Sequence, residues 1–198
     1  VTVIGEAERP GDYSISSLAG FFNVLYVSGG PGKNGSLRNI ELIRNNKVVQ
    51  KIDFYQFLQS GLMDTEIRLQ DRDIIRYPLY QKRVILSGEV KRPSIYELLE
   101  KETLADLLRF AGGWADMAFK GSLKVSQVGI QERVFRDVPE ADLNYFIPRN
   151  ADSVFVDKVR ERFLNRVIIA GSVFRPGNYE LTDGLTLLRL IQRANGLT

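Results

Sequence analysis

Apolar positions recur along this chain in two alternating periods. Phe21, Val24 and Leu25, with Ser28 in line, stand at i, i+3, i+4 and i+7. So do Leu104, Leu107, Leu108 and Ala111, and again Leu187, Leu190, Ile191 and Ala194. That spacing makes one apolar stripe on each of three short helices. Thr103 and Thr186 precede the second and third stripes, where a hydroxyl caps free N–H groups; Gly20 stands there in the first, a weaker cap. The pairs Gly29-Gly30, Gly112-Gly113 and Asn195-Gly196 follow the stripes, and Gly or Asn is what a left-handed helix stop requires.

Between the stripes the period falls to two. Leu37–Ile43 and Val48–Ile52, joined at Asn45-Asn46, predict a hairpin, and Phe54–Gln59 a short helical turn. A further strand is predicted within 67–77, where Asp71-Arg72-Asp73 turns into Ile74-Ile75. Leu123–Val128, Val134–Val138 and Val154–Val156 play these parts next, with Asn150-Ala151-Asp152 as the matching turn.

The chain repeats itself. Val1-Thr-Val-Ile-Gly5-Glu6 with Arg9-Pro10 and Tyr13 returns as Val84-Ile-Leu-Ser-Gly88-Glu89 with Arg92-Pro93 and Tyr96. It returns once more as Val167-Ile-Ile-Ala-Gly171-Ser172 with Arg175-Pro176 and Tyr179. Both intervals are 83 residues, without a gap. Each unit reads as strand, Arg-Pro turn, strand, helix, further strands. The turn at Asp152 is offset from that at Asp73 by 79 residues, so loop lengths differ. A helix across one face of a small mixed sheet is an α+β, β-grasp outline. The units fall at 1–78, 83–156 and 166–198, the last being the front half of a third. Further chain, or a neighbouring segment, is expected to complete its sheet. Asp157–Leu164 reads as a mixed-charge connector.

The motifs Gly-Glu-Val-x-Arg-Pro-x-x-Tyr and Thr-Leu-x-x-Leu-Leu-x-x-Ala-Gly-Gly resemble the SLBB (soluble ligand-binding β-grasp) domain. In tandem, such units resemble those of bacterial outer-membrane polysaccharide export proteins. The resemblance implies a periplasmic, outer-membrane-associated module without catalysis, whose units build the wall of a ring through which capsular or extracellular polysaccharide passes. It implies as partners a glycan, other copies of the full-length protein and other envelope export components. The alternative is a soluble domain that binds a glycan or small ligand in a concavity near Trp114 or Arg92.

Composition narrows the chemistry. The 198 residues include no His and no Cys, which excludes Ser-His-Asp and Cys-His pairs, ordinary zinc sites and disulfides. No cofactor and no metal is implied. A net charge of +3 with acids and bases interspersed gives no basic stripe, and so no nucleic-acid partner. The sequence has no 18-residue apolar run. It opens on Val1 inside a β-like run, which reads as a mature or trimmed piece of a longer protein.

Candidate ligand contacts are Arg9, Arg92, Arg175 and Trp114. A guanidinium beside a Pro-fixed bend can fork onto a carboxylate or phosphate. Its stem can equally pack on the equivalent Tyr or cap a turn, and its recurrence in every copy argues for that role in the fold. Trp114, with Phe110, Phe119, Tyr145 and Phe146, could offer a face to a sugar ring or pack between units. Gly29–Ser36 is no phosphate loop, since it follows a helix and Asn34 stands where Ser or Thr is needed. Asn34-Gly35-Ser36 reads as a surface turn. Asp71 and Asp73 read as a turn rather than as a catalytic pair.

Overall fold

A computed structural model describes residues 1–16, 20–61 and 68–198. They form two compact bodies, 1–159 and 160–198.

The first body holds two five-stranded sheets of one topology. In the first sheet, β1 (Thr2–Gly5) lies antiparallel to β2 (Gly11–Asp12) and parallel to β5 (Ile74–Tyr77); β3 (Ile40–Arg44) pairs with β5, and β4 (Lys47–Ile52) with β3. The second repeats this with β6 (Arg83–Gly88), β7 (Ser94–Glu97), β10 (Ser153–Val156), β8 (Ser122–Val128) and β9 (Arg133–Pro139) in the same roles. The helices are α1 (Phe21–Ser28) and α3 (Leu104–Phe110). Their apolar stripes are where the period placed them. Phe21 and Val24 join the first core, and Leu104, Leu107 and Leu108 the second. Thr103 and Asp106 form a reciprocal capping box, whereas Gly20 offers no side-chain cap.

The helix stops match the sequence reading. Gly29, Gly112 and Asn195 stand at φ 75°, 81° and 62°, so Asn takes the left-handed position in the copy that lacks Gly. The turns match as well: Asp73 Oδ2 accepts from Gln70 N–H and Asp152 Oδ2 from Arg149 N–H, both at 2.8 Å. Asp71 is exposed, and no carboxylate faces Asp73 among its bonded partners, which are Arg44 and Gln70.

Two readings are corrected. The strand predicted over Leu37–Ile43 begins only at Ile40, because the Ser36 hydroxyl holds the N–H groups of Arg38 and Asn39 (3.1 and 3.0 Å) in a turn. That turn is not a surface feature: Asn34 is exposed, but Gly35 and Ser36 are buried, and Ser36 donates to Glu97 of the second repeat. The strand predicted within 67–77 is observed as β5; Ile67 lies outside the described residues. The predicted helical turn at 54 is α2 (Phe54–Ser60), capped by Asp53. A single 3-10 turn over Glu140–Asp142 follows β9 in its place.

The second body holds the hairpin of β11 (Arg166–Ile169) and β12 (Gly177–Glu180) with α4 (Leu187–Arg193). Ile169, Val173, Leu190 and Ala194 make its small core. The connector's first residues belong to the first body, where Lys124 pairs with Asp157 at 3.0 Å and Lys158 bridges Ala118. Among the described residues no helix is long and apolar enough to cross a membrane.

Candidate functional site: a groove at the junction of the first two repeats

The Arg-Pro turn is built the same way three times. Tyr13, Tyr96 and Tyr179 donate their hydroxyls to the backbone carbonyls of Arg9, Arg92 and Arg175, at 2.7, 2.6 and 2.7 Å. The turn's neighbours also repeat as isolated bridges: Ala7 to Pro31, Val90 to Trp114 and Val173 to Leu197. The recurring Arg-Tyr pair is therefore a closure of the turn through the Arg main chain, which leaves the guanidinium available for other contacts.

What the guanidinium meets differs between copies. Arg92 donates through Nη2 to the carbonyl of Phe110 at the C-terminal end of α3, at 2.9 Å, where a cation is favoured by the helix dipole. It also lines a groove of about 370 Å³. Leu37, Tyr55, Leu58 and Gln59 of the first repeat form one wall; Arg92, Ser94, Ile95, Tyr96 and Phe110 of the second form the other. Arg92 is the single charged residue in this lining. Arg9 and Arg175 are exposed and line none of the concavities described for the chain. Trp114 is not in the groove; it is half-buried and packs against the second core. Its proposed aromatic companions do not gather around it: Phe110 meets Tyr55, Phe146 packs on the second core, and Phe119 and Tyr145 are exposed.

Beneath the groove lies a buried network that sequence reasoning missed. Arg38 is 8% exposed and holds two carboxylates at once. Nε and Nη2 donate to Asp53 of its own repeat at 2.9 and 2.7 Å. Nη1 and Nη2 donate to Glu102 of the next at 2.6 and 2.8 Å. Its guanidinium also lies 4.6 Å from the ring centre of Tyr55 and 5.0 Å from that of Phe110, which meet edge to face at 5.4 Å. Burial alone works against the Arg38 charge, but the hydrogen bonds and charges of Asp53 and Glu102 more than offset it, and its pKa is raised. Glu97, also buried, accepts from Ser36 Oγ and from Leu37 N–H at 2.8 Å, while its own N–H donates to the Tyr55 hydroxyl at 2.8 Å. Burial raises the pKa of the Tyr55 phenol. Tyr55 itself belongs to the second repeat's core, although it comes from the first repeat's helix α2.

Chemically the groove can receive a small amphipathic ligand against Ile95, Leu58 and Tyr55, with the Arg92 guanidinium at its rim. Among the described residues no group of three or more carboxylates is placed to hold a metal ion.

A family model described as SLBB domain matches residues 1–53, 83–133 and 166–198, the front part of all three repeats and well over half of the chain. No curated protein matches the chain.

Proposed function

The chain belongs to the SLBB family of ligand-binding domains, and from that premise we propose that it is a non-enzymatic module of an outer-membrane polysaccharide export protein. It works in the periplasm, as part of the wall of a channel or ring through which capsular or extracellular polysaccharide passes. The observation that carries this reading is the junction at Arg38. A repeat array that serves as a wall needs neighbouring units fixed at one angle, and contacts confined to neighbours. Arg38 supplies that fixity with bidentate bonds into both repeats and contacts to an aromatic ring from each, Tyr55 and Phe110. The role asks for positioned surfaces and no reacting group.

The test is genetic and topological. In the bacterium that makes the protein, its removal is expected to abolish surface polysaccharide while polymer accumulates inside the envelope. Antibody against this segment is expected to find it in the periplasmic and outer-membrane fractions. Unchanged surface polysaccharide, or a cytosolic location, would overturn the reading.

The groove at Arg92 favours a second reading, a soluble glycan- or small-ligand-binding domain. An NMR titration with neutral and acidic oligosaccharides distinguishes it. Amide shifts confined to Arg92, Ser94, Ile95 and Tyr96 support binding, and unchanged spectra remove it.

A further inference from the structure

The outer edges of the two sheets in the first body are equivalent strands of different composition. β4 carries Lys47 and Lys51; β9 carries Arg133, Asp137 and Arg136, the last on the other face and bonded to Gln127. β9 is the terminal strand of its sheet, and among the described residues nothing pairs with its outer edge. It is long, and exposed from Arg133 to Asp137, with Val134 45% and Phe135 63% exposed. Neither Arg133 nor Asp137 makes an ion pair among the described residues.

The ladder to β8 fixes which backbone groups face the open edge. Gly129 N–H donates to Glu132 C=O, and Glu140 N–H to Gly121 C=O, bracketing the hairpin at both ends. Hydrogen-bonded and non-bonded pairs alternate in an antiparallel ladder. Residues 134, 136 and 138 therefore bond inward to β8, and the N–H and C=O groups of Arg133, Phe135 and Asp137 point outward. Pro139, which has no N–H to offer, falls in the outward set, as a proline at a free edge should.

We propose that β9 is a self-complementary edge through which two copies of this chain pair antiparallel about a two-fold axis at Phe135. In that register Phe135 lies opposite Phe135 of the partner subunit, and Arg133 lies opposite the partner's Asp137 on both sides of the axis. Arg133, Phe135 and Asp137 then all meet their counterparts, giving six main-chain hydrogen bonds, two cross-strand ion pairs and one aromatic pair on the same face. Registers displaced by one step of the ladder put Phe135 opposite Arg133 or Asp137 and lose the ion pairs. The same operation has no counterpart on β4, whose ladder to β3 shifts register between Leu42 and Ile43 and whose Lys51 already pairs with Glu41 at 3.9 Å. This goes beyond the export role, since an isologous pair is a different contact from the stacking of successive repeats. A strand pair alone is a small interface of the transient class, below about 1,200 Å².

Sedimentation velocity on the 198-residue chain, from low micromolar to millimolar concentration, tests it. The wild type is expected to shift from monomer to dimer at the upper end. Arg133→Asp sets Asp against Asp, and Asp137→Arg sets Arg against Arg, and each is expected to abolish the dimer. The double exchange restores opposite charges and is expected to restore it. Amide exchange gives a separate readout: Arg133, Phe135 and Asp137 N–H groups become protected only in the dimer, while 134, 136 and 138 stay protected in every variant that folds. A wild type that remains monomeric at millimolar concentration overturns the proposal. So does a dimer that survives either single exchange, since the contact then lies elsewhere.

Discussion

Arg38 of the first repeat grips Glu102 of the second through two parallel hydrogen bonds, Nη1 to Oε2 at 2.6 Å and Nη2 to Oε1 at 2.8 Å. The two residues are 64 positions apart, and both are largely withdrawn from water, with side chains 5% and 17% exposed. Desolvating such a pair costs most of what its attraction returns, so its value lies in fixing one geometry. Asp53 on the other side of the guanidinium and the adjoining rings of Tyr55 and Phe110 leave it no second pose.

Removing Arg38 leaves Asp53 and Glu102 buried without their cation. Arg38→Ala is expected to lower the unfolding free energy of the first body by about 3–5 kcal/mol, the usual cost of breaking a buried pair from one side. The two repeats are also expected to lose cooperativity, so that one urea transition becomes two. A single transition within about 0.5 kcal/mol of wild type would refute the junction's role.

Acid should weaken the first repeat through Asp73. Burial alone would raise this carboxyl's pKa, but the Arg44 guanidinium and the Gln70 N–H hold it below the ordinary value. A carboxyl depressed in the folded state adds stability above its unfolded pKa of about 3.9, and that stability is lost as pH falls through the folded value. Unfolding free energies measured from pH 6 downward are expected to fall more steeply for wild type than for Asp73→Asn below about pH 4. Parallel curves would show that Asp73 is not the group responsible.

Gly88 and Gly171 occupy one place in the repeat and should respond differently to a methyl group. Both have positive φ, 85° and 101°. A Cβ at Gly88 would collide with the Val156 carbonyl on the parallel strand β10, while nothing lies within 4 Å at Gly171. In the 198-residue chain Gly171→Ala is expected to cost only the left-handed penalty of about 1–2 kcal/mol. Gly88→Ala adds a backbone clash and is expected to exceed about 3 kcal/mol. Denaturation of each body, followed at its own amides, decides; equal costs would mean that strand β10 does not set the requirement.

Tyr96→Phe deletes the hydroxyl that closes the second Arg-Pro turn and keeps the ring. About 1 kcal/mol of stability should be lost, the typical value of one hydrogen bond. Tyr13→Phe is expected to cost a similar amount, because the bond to the Arg9 carbonyl has nearly the same length. A cost confined to one copy would sink the view that the Arg-Tyr pair belongs to the fold.

Local chemistry along the chain determined a great deal here. Stripes at 3.6-residue spacing placed the helices, and left-handed φ at Asn195 was legible because few residues tolerate it. Asp73 and Asp152 declared their turns for a similar reason: their side chains bond a backbone N–H three residues away, and proximity in sequence is enough. The repeat itself told that Arg9, Arg92 and Arg175 share a structural task. Tertiary structure decided the rest. That Arg92 lines a groove between two repeats depends on which repeat abuts which, and no local pattern encodes a neighbour. Tyr55 serves the core of the repeat after its own, and Arg38 finds Glu102 across 64 residues; contacts of that separation follow no period in the sequence, only the packing of one finished repeat against the next.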